Sequence, residues 1–176
     1  MHIGEKQLKE FILDSGLVTT ADFESAEKEA KKREVKVGDI LVSKGKLSED
    51  DLRRLQANVL GIPFVDLRKI KIEFEVLSLI PEPIARNHNV VAFKKTKDSL
   101  EVAMLDVDDL RAIDFIKKKV GLKILPRLTD TESIKNALLQ YQRSLKAEFG
   151  EIIQKESASL GDIKQVFDST GEKGEK

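Results

Sequence analysis

Two stretches decide the fold: LKEFILDSGLVTTADFESAEKEA (residues 8–30) and VGDILVSKGKLSEDDLRRLQANV (residues 37–59). A shift of 29 positions places Gly16 on Gly45 and brings the apolar residues of one stretch onto apolar residues of the other. The polar positions differ, so the two stretches share a pattern rather than identities. Such a degenerate internal repeat predicts two copies of one small structural unit.

Each stretch has the pattern of a helical hairpin. Apolar residues recur at i, i+3, i+4 spacing up to a glycine, which can end a helix in the left-handed conformation. Thr19 and Ser48 then stand where a second helix would begin, and an acid follows each of them three residues later, as in a capping box. We therefore expect residues 1–60 to form a helical subdomain of two degenerate repeats of about 29 residues.

After Gly61-Ile62-Pro63, short strand-like and helical segments alternate. The predicted strands are 64–67, 90–93, 100–104 and 122–128. The predicted helices are 74–87, 108–120 and 130–142, the first of them interrupted by Pro81 and Pro83 and the second capped by Asp108 or Asp109. Residues 61–142 should thus form a small α/β subdomain with a three- to four-stranded sheet, and the fold class is α+β, mixed α/β.

From Arg143 onward the helical pattern weakens. Apolar residues still recur at roughly helical spacing, but Gly150 and Gly161 lower the helix propensity. We predict a helical linker with a disordered tail for residues 143–176. An amphipathic segment with no domain after it suggests a fragment of a longer protein.

Composition restricts the function classes. The 31 basic residues balance 31 acidic ones, which argues against binding nucleic acid through a large basic field. There is no cysteine, so disulfides, thiolate metal sites and a cysteine nucleophile are excluded. No apolar run approaches the ~20 residues of a membrane span, and the N-terminus lacks the pattern of a signal peptide. The sequence therefore predicts a cytoplasmic protein that reaches a membrane only through partners.

No catalytic motif is evident. None of the glycines begins a P-loop, because Gly45-Lys46 lacks both the earlier glycine and the following hydroxyl residue. The only histidines are His2 and His88, and we interpret His88 as a surface or turn residue rather than a base. The chain is therefore predicted not to be an enzyme.

Two charged clusters have a structural interpretation and a functional one. Asp106, Asp108 and Asp109 suit a magnesium or calcium ion, but they also lie where a strand ends and a helix begins, so we favour capping and predict no metal. The run 117–119 is lysine throughout, which indicates a solvated helix face first and a phosphate or partner patch second.

From Lys36 to Gln142 the sequence resembles the N-terminal domain of type II secretion and type IV pilus assembly ATPases (the GspE/PilB family, MshEN-like). The motifs that carry the resemblance are KVGDILVSKGKLSEDDL (36–52), LGIPFVDL (60–67), LSLIPEPIARNHNVVAF (77–93) and LEVAMLDVDDLRAIDFIKKKVGLKILPRLTDTESIKNAL (100–138). Val107 stands where a proline is common in the family. Residues 6–35 resemble it weakly, as the degenerate first repeat.

The resemblance implies a non-catalytic regulatory and docking module. Such domains bind the cytoplasmic part of an inner-membrane platform protein, and the parent proteins hydrolyse ATP in a following domain. In one branch they also bind cyclic di-GMP.

Carrying that branch's motif over residue by residue gives a candidate nucleotide site: Lys36, Val37, Gly38, Leu41, Val42, Gly45, Leu47, Leu52 and Gln56. The sequence departs from the motif at its two ends. The arginine position is Gln7 in the first copy and Lys36 in the second, and the closing glutamine is replaced by Ala30 and Val59, with Gln56 about one turn too early. A lysine lacks arginine's planar fork, and the leucines also fit an ordinary core, so docking is the first hypothesis and a cyclic di-GMP receptor the alternative.

A third interpretation is a free-standing scaffold unconnected with ATPases. It requires the gene to end at Lys176, which the downstream reading frame would decide.

Overall fold

The computed structural model describes residues 4–170, and its first half is helical. The four helices there are α1 (Glu5–Asp14), α2 (Thr20–Arg33), α3 (Val37–Ser43) and α4 (Glu49–Leu60). Helix α1 packs against α4, and α2 packs against α3. The buried apolar residues of this helical core are Ile12, Val18, Phe23, Ala26, Ala30, Ile40, Leu41, Leu47 and Leu52.

The local signals of the repeat act in the same way in both copies. Thr19 Oγ1 accepts a hydrogen bond from the Asp22 amide at 3.2 Å, and Ser48 Oγ accepts one from the Asp51 amide at 3.1 Å, so each caps the helix that follows. Gly16 and Gly45 have φ values of 71° and 70°, a left-handed conformation in which a residue with a side chain would be strained. Two equivalent helix–glycine–helix units follow from these residues.

The second half contains helices and one sheet. Its elements are α5 (Phe74–Leu77), α6 (Glu82–His88), β1 (Val90–Lys95), β2 (Ser99–Met104), α7 (Leu110–Val120), β3 (Lys123–Leu128) and α8 (Thr131–Thr170). Strand β2 lies between β1, which is antiparallel to it, and β3, which is parallel. The predicted α+β class is confirmed: helices predominate and the sheet is small and mixed.

The predicted strand 64–67 is wrong. Phe64 makes a single bridge to Leu128, and the chain then leaves the sheet. Side chains of α8 take the place of a neighbouring strand. Ser133 Oγ accepts from the Leu67 amide at 2.9 Å, and Asn136 Nδ2 donates to the Leu67 carbonyl at 2.8 Å. The backbone of this segment is thereby satisfied without a sheet partner.

Gln140 continues the same series one turn later. Its Oε1 accepts from the Ile72 amide at 2.7 Å, and its Nε2 donates to the Ile70 carbonyl at 2.8 Å. Ser133, Asn136 and Gln140 lie at i, i+3 and i+7, so they form one stripe along α8. We call these three residues the polar stripe; it fixes the irregular segment 67–72 against the helix.

Tyr141 is buried beside the polar stripe. Its hydroxyl lies 2.9 Å from the Leu77 carbonyl oxygen and 2.6 Å from the Ile80 carbonyl oxygen. Burial, with the nearby Glu82 charge, raises the pKa of this phenol well above its ordinary value. The hydroxyl therefore stays protonated and ties α8 to the last residue of α5 and to the segment that follows it.

We expect Tyr141→Phe to lower the unfolding free energy by about 1–3 kcal/mol, because two buried carbonyls lose their donor while the ring stays in place. Urea denaturation of both proteins measures this difference. Gln142→Ala, at the exposed neighbouring position, is the control and should differ from the parent by no more than about 0.5 kcal/mol. An unchanged midpoint in Tyr141→Phe would contradict a structural role for the hydroxyl.

Helix α8 joins the predicted helix 130–142 to the predicted helical linker without a gap. The helix runs without interruption from Thr131 to Thr170, through Gly150 and Gly161. A glycine costs a helix only about 1 kcal/mol relative to alanine, and the good helix formers around it offset that cost. The predicted disordered tail begins at Ser169. Its first two residues, Ser169 and Thr170, belong to α8, and residues 171–176 lie outside the described part of the chain.

The stretch of α8 beyond the sheet exposes large apolar side chains. Leu145, Phe149 and Ile152 are spaced by four and three residues and are all exposed. They therefore lie on one face of the helix. Within residues 4–170, no helix is both long and apolar enough to cross a bilayer.

Candidate functional site

The α3–α4 hairpin contains all nine residues of the predicted nucleotide site, but they differ in accessibility. Leu41, Leu47 and Leu52 are buried in the helical core, with Leu41 fully enclosed. The buried members also include Gly38 and Gln56. The accessible members are Lys36 and Gly45, which are exposed, and Val37 and Val42, which are half-buried.

Gly38 permits a close approach of α3 to α4. A Cβ at this position would lie 2.8 Å from Leu52 Cδ1 and 3.0 Å from Leu52 Cδ2. These distances are shorter than van der Waals contact, so any larger residue would force Leu52 to move. The packing of the hairpin thus accounts for this glycine.

The turn of the hairpin leaves few free donors. The Lys44 amide donates to the Ile40 carbonyl at 3.0 Å, the Gly45 amide to Val42 at 3.0 Å, and the Lys46 amide to Leu41 at 2.9 Å. These amides close the end of α3. An anion at this turn would therefore depend on side-chain ammonium groups rather than on backbone amides.

Gln56 is engaged within the fold. Its Oε1 accepts from Arg53 Nη1 at 3.0 Å, and the same nitrogen lies 3.4 Å from the Leu105 carbonyl oxygen just after β2. Gln56 is only 8% exposed. Arg53 and Gln56 thereby connect α4 to the end of the sheet.

Further polar contacts extend this connection. Glu49 Oε1 accepts from the Thr131 amide at 3.0 Å and also from the Thr131 hydroxyl. Arg53 Nε lies 3.8 Å from the same carboxylate oxygen. We call Glu49, Arg53, Gln56 and Thr131 the helix–sheet seam. Glu49 and Thr131, which join α4 to the start of α8, are 82 positions apart, and no local pattern in the sequence indicates this contact.

Near the helix–sheet seam, the Arg68 guanidinium lies within 4.0 Å of three carboxylates. Its Nη2 lies 2.7 Å from Asp66 Oδ2, 3.6 Å from Asp50 Oδ1 and 4.0 Å from Asp130 Oδ2. The hydrogen bonds from the Arg68 side chain and amide hold the pKa of Asp66 well below its ordinary value. The same pairing raises the pKa of Arg68.

The Asp66–Arg68 pair predicts a pH dependence. Because the folded pKa of Asp66 is depressed below its ordinary 3.8, its contribution to stability is present above that pH and is lost as pH falls further. The unfolding free energy measured between pH 5 and 2 (roughly the carboxyl range) should fall less steeply in Asp66→Asn than in the parent. Arg68→Gln should flatten the curve at least as much. Identical slopes in all three proteins would contradict this.

His88 and Asp109 make a structural pair. His88 Nδ1 lies 2.7 Å from Asp109 Oδ2, and Asp109 Oδ1 accepts from the Ala112 amide at 3.2 Å, which caps α7. Although burial opposes it, these two hydrogen bonds hold the pKa of Asp109 below its ordinary value. The predicted capping role of Asp109 is confirmed. Asp106 Oδ1 accepts from the Asp108 amide at 2.9 Å, a turn contact.

In the described part of the chain, no three histidine or acidic side chains are grouped so that they could hold a metal ion. The cluster at 106–109 organises the entry into α7 instead.

Comparison with known proteins places this fold in a family. The MshEN domain family matches residues 60–148, which is about half of the chain and contains the sheet and the start of α8. Curated relatives extend the similarity into the helical repeat. The type IV pilus assembly ATPase PilB of Myxococcus xanthus is 27% identical over 160 residues, which is 91% of this chain and 28% of PilB. PilB of Thermus thermophilus is 26% identical over 145 residues, 81% of this chain and 16% of that protein.

Solved structures share the architecture. The structure of MshE with cyclic di-GMP superposes with a TM-score of 0.66 at 26% identity and covers 76% of this chain and 97% of that chain. The N-terminal domain of XpsE has a TM-score of 0.58 at 23% identity over 77% of this chain and 94% of that chain, a likeness of fold.

The chain spans little more than a quarter of the longest-matching curated relative, and the match falls on a non-catalytic N-terminal domain rather than on an ATPase core. The predicted resemblance is confirmed, and this chain belongs to the MshEN domain family, as a homologue of the N-terminal domains of type II secretion and type IV pilus assembly ATPases.

Proposed function

We propose that this chain is the regulatory and docking module of a type II secretion or type IV pilus assembly motor ATPase, and that it binds the cytoplasmic part of an inner-membrane platform protein. The observation that carries the proposal is the family match together with similarity to PilB that extends over both halves of the chain. The proposal places the protein in the cytoplasm, peripheral to the inner membrane through its partners.

The downstream ATPase core is the second proposed partner. Leu145, Phe149 and Ile152 form an exposed apolar face on α8, and such a face is stabilised when another surface covers it. In the parent protein, we propose that the ATPase core covers this face. The helix would then transmit the position of the module to the motor.

The helical subdomain supports the platform interaction. Phe11 and Leu17 are large apolar residues exposed in and just after α1, on the half of the molecule that the sheet does not cover. Exposed apolar side chains on a rigid helical unit supply the contact area that docking requires. Neither side chain is among the buried residues of the helical core.

A pull-down of the full 176-residue chain with the cytoplasmic domain of the cognate platform protein tests this proposal. We expect binding that Phe11→Ser and Leu17→Ser together weaken. Leu110→Ser, which changes an exposed leucine on the other half of the molecule, is the matched control and should bind as the parent does. No binding at tens of micromolar would overturn the docking function.

The alternative function is a cyclic di-GMP receptor that controls the motor. The structure of MshE with cyclic di-GMP, 26% identical to this chain, is the observation that favours it. In this proposal the exposed Lys36 pairs with a phosphate, while Val37, Val42 and Gly45 contact the ligand. The buried members of the site would hold the hairpin in shape rather than touch the nucleotide.

Two features rank this alternative second. Lys36 supplies one ammonium group instead of a guanidinium that can stack and pair bidentately. Gln56 is buried and bonded to Arg53, so it would have to leave the helix–sheet seam to reach a base.

Calorimetry with cyclic di-GMP separates the two functions. Docking alone predicts no heat of binding at micromolar nucleotide. Micromolar binding that Lys36→Ala abolishes and Lys31→Ala, an exposed lysine on α2, leaves intact would establish the receptor function.

A further inference from the structure

A lysine-lined cleft lies at the opposite end of the sheet from the helix–sheet seam. The seam meets the strands where β2 and β3 end, whereas the cleft lies where they begin, beside the pair Ser99 and Lys123. Six residues of strand separate the two ends by roughly 20 Å. The cleft is therefore distinct from the hairpin that carries the candidate nucleotide site.

Three lysines line the cleft: Lys95 and Lys97 from the β1–β2 hairpin and Lys119 from the end of α7. Its volume is about 340 Å³, and Ser78 adds a hydroxyl while Leu79 and Leu122 add apolar surface. No acidic residue belongs to the lining. Cavities of this size accept small organic ligands.

The hairpin holds its two lysines in place. The Thr96 amide donates to the Ser99 carbonyl at 2.9 Å, and the Ser99 amide donates to Thr96 Oγ1 at 3.1 Å. The Lys123 amide donates to the Asp98 carbonyl at 3.1 Å, which fixes the turn against the start of β3. The lysines on either side of Thr96 are thus carried by a hydrogen-bonded turn rather than by a loose loop.

These ammonium groups have no carboxylate partner among residues 4–170. No ion pair within 4.0 Å involves Lys95, Lys97 or Lys119, whereas the neighbouring Lys94 reaches Glu101 at 3.8 Å. A helix C-terminus favours basic residues, which accounts for the lysines of α7. That explanation does not apply to the two lysines of the hairpin.

We propose that this cleft binds a phosphate group, either as a free phosphate ester or as the headgroup of an anionic phospholipid. Three lysines supply the charge, and the leucines contact the carbon atoms next to the phosphate. Lys117, Lys118 and Lys123, all exposed near the cleft, add to the positive field that attracts the anion. The site goes beyond the proposed docking function and does not depend on it.

The test compares two forms of the full chain that carry the same net charge. The cleft variant is Lys95→Gln, Lys97→Gln and Lys119→Gln together. The control is Lys28→Gln, Lys31→Gln and Lys69→Gln together, at three exposed lysines outside the cleft. Circular dichroism and thermal melting verify that both variants keep the parent fold.

Two experiments distinguish the sources of phosphate. The first is calorimetry with glycerol phosphate. The second is flotation with vesicles of equal parts phosphatidylglycerol and phosphatidylcholine, with vesicles of phosphatidylcholine alone as the control. In the arm that binds, we expect the cleft variant to bind at least about tenfold more weakly than the parent, and added salt to weaken the parent's binding. The control variant should bind within about twofold of the parent, since it lacks only lysines that this proposal does not use.

Each outcome decides the proposal. Binding to glycerol phosphate supports a free ligand, and binding to phosphatidylglycerol vesicles alone supports a lipid headgroup. Equal losses in the cleft and control variants would overturn the proposal in favour of unspecific attraction. Absence of binding in both arms would also overturn it.

Discussion

Leu52→Ala is expected to lower the free energy of unfolding by about 2–5 kcal/mol. Leu52 is 2% exposed and lies in the helical core, where its methyl groups fill the space that Gly38 leaves open. Truncation removes buried apolar surface and leaves a cavity between α3 and α4. Domains are typically stable by only about 5–15 kcal/mol, so this one change removes a large share.

Gly38→Ala tests the same contact from the other side. Alanine should stabilise α3 by about 1 kcal/mol through helix propensity. The new Cβ would overlap Leu52, and overpacking typically costs about 1–3 kcal/mol, so we expect a net loss. In the Leu52→Ala background the space is free, and Gly38→Ala should then become neutral or stabilising.

Urea denaturation of the parent, the two single variants and the double variant measures this coupling as a double-mutant cycle. Leu17→Ala, at an exposed leucine, is the control and should change the unfolding free energy by no more than about 0.5 kcal/mol. Additive losses in the double variant would show that Gly38 and Leu52 do not constrain each other.

The helical repeat could be predicted because its signals are local. Thr19 and Ser48 cap helices, Gly16 and Gly45 end them, and each signal acts within a few residues of itself. Among the predicted site residues, the sequence indicated that the leucines fit an ordinary core, and they are buried there. The packing role of Gly38 could not be predicted, because it depends on how close α4 lies to α3.

The errors occurred where distant residues decide the structure. The segment FVDL alternates like a strand, but Ser133 and Asn136 hold its backbone at Leu67. A signal was present in the sequence: Ser133, Asn136 and Gln140 recur at one helical face beside the apolar Ile134 and its neighbours. Polar side chains in line on a packed helix face indicate that nearby backbone N–H and C=O groups take their hydrogen bonds from them.

The helix–sheet seam was missed for the same reason. Glu49 is the first residue of α4, and nothing within that helix shows that its carboxylate bonds to Thr131. Gln56 was assigned to the nucleotide site because of its position near the end of the motif. That assignment stays a prediction; the structure adds that Gln56 is bonded to Arg53, whose same nitrogen lies 3.4 Å from the Leu105 carbonyl oxygen beyond β2.

Arg53→Ala should have the second large effect, a loss of about 2–3 kcal/mol in the free energy of unfolding. The substitution leaves the buried Gln56 Oε1 without its donor, removes a contact to the Leu105 carbonyl, and removes the positive charge nearest Glu49. A lysine has a single nitrogen and cannot both contact Gln56 with Leu105 and keep a second nitrogen near Glu49, so Arg53→Lys should recover only part of the loss.

Arg54→Ala is the matched control, since it removes the same side chain one position further along α4. Its guanidinium is half exposed, pairs with Asp50 at 2.8 Å and lies 4.4 Å from the centre of the Phe64 ring. Exposed contacts of these kinds contribute about 1 kcal/mol or less each.

Urea denaturation ranks the two variants by their loss of unfolding free energy, and hydrogen exchange shows which elements the change affects. Because α4 contributes to both cores, Arg53→Ala should speed amide exchange in α4 and at the end of β2 together. A loss in Arg54→Ala equal to that in Arg53→Ala would show that the seam does not couple the helical repeat to the sheet.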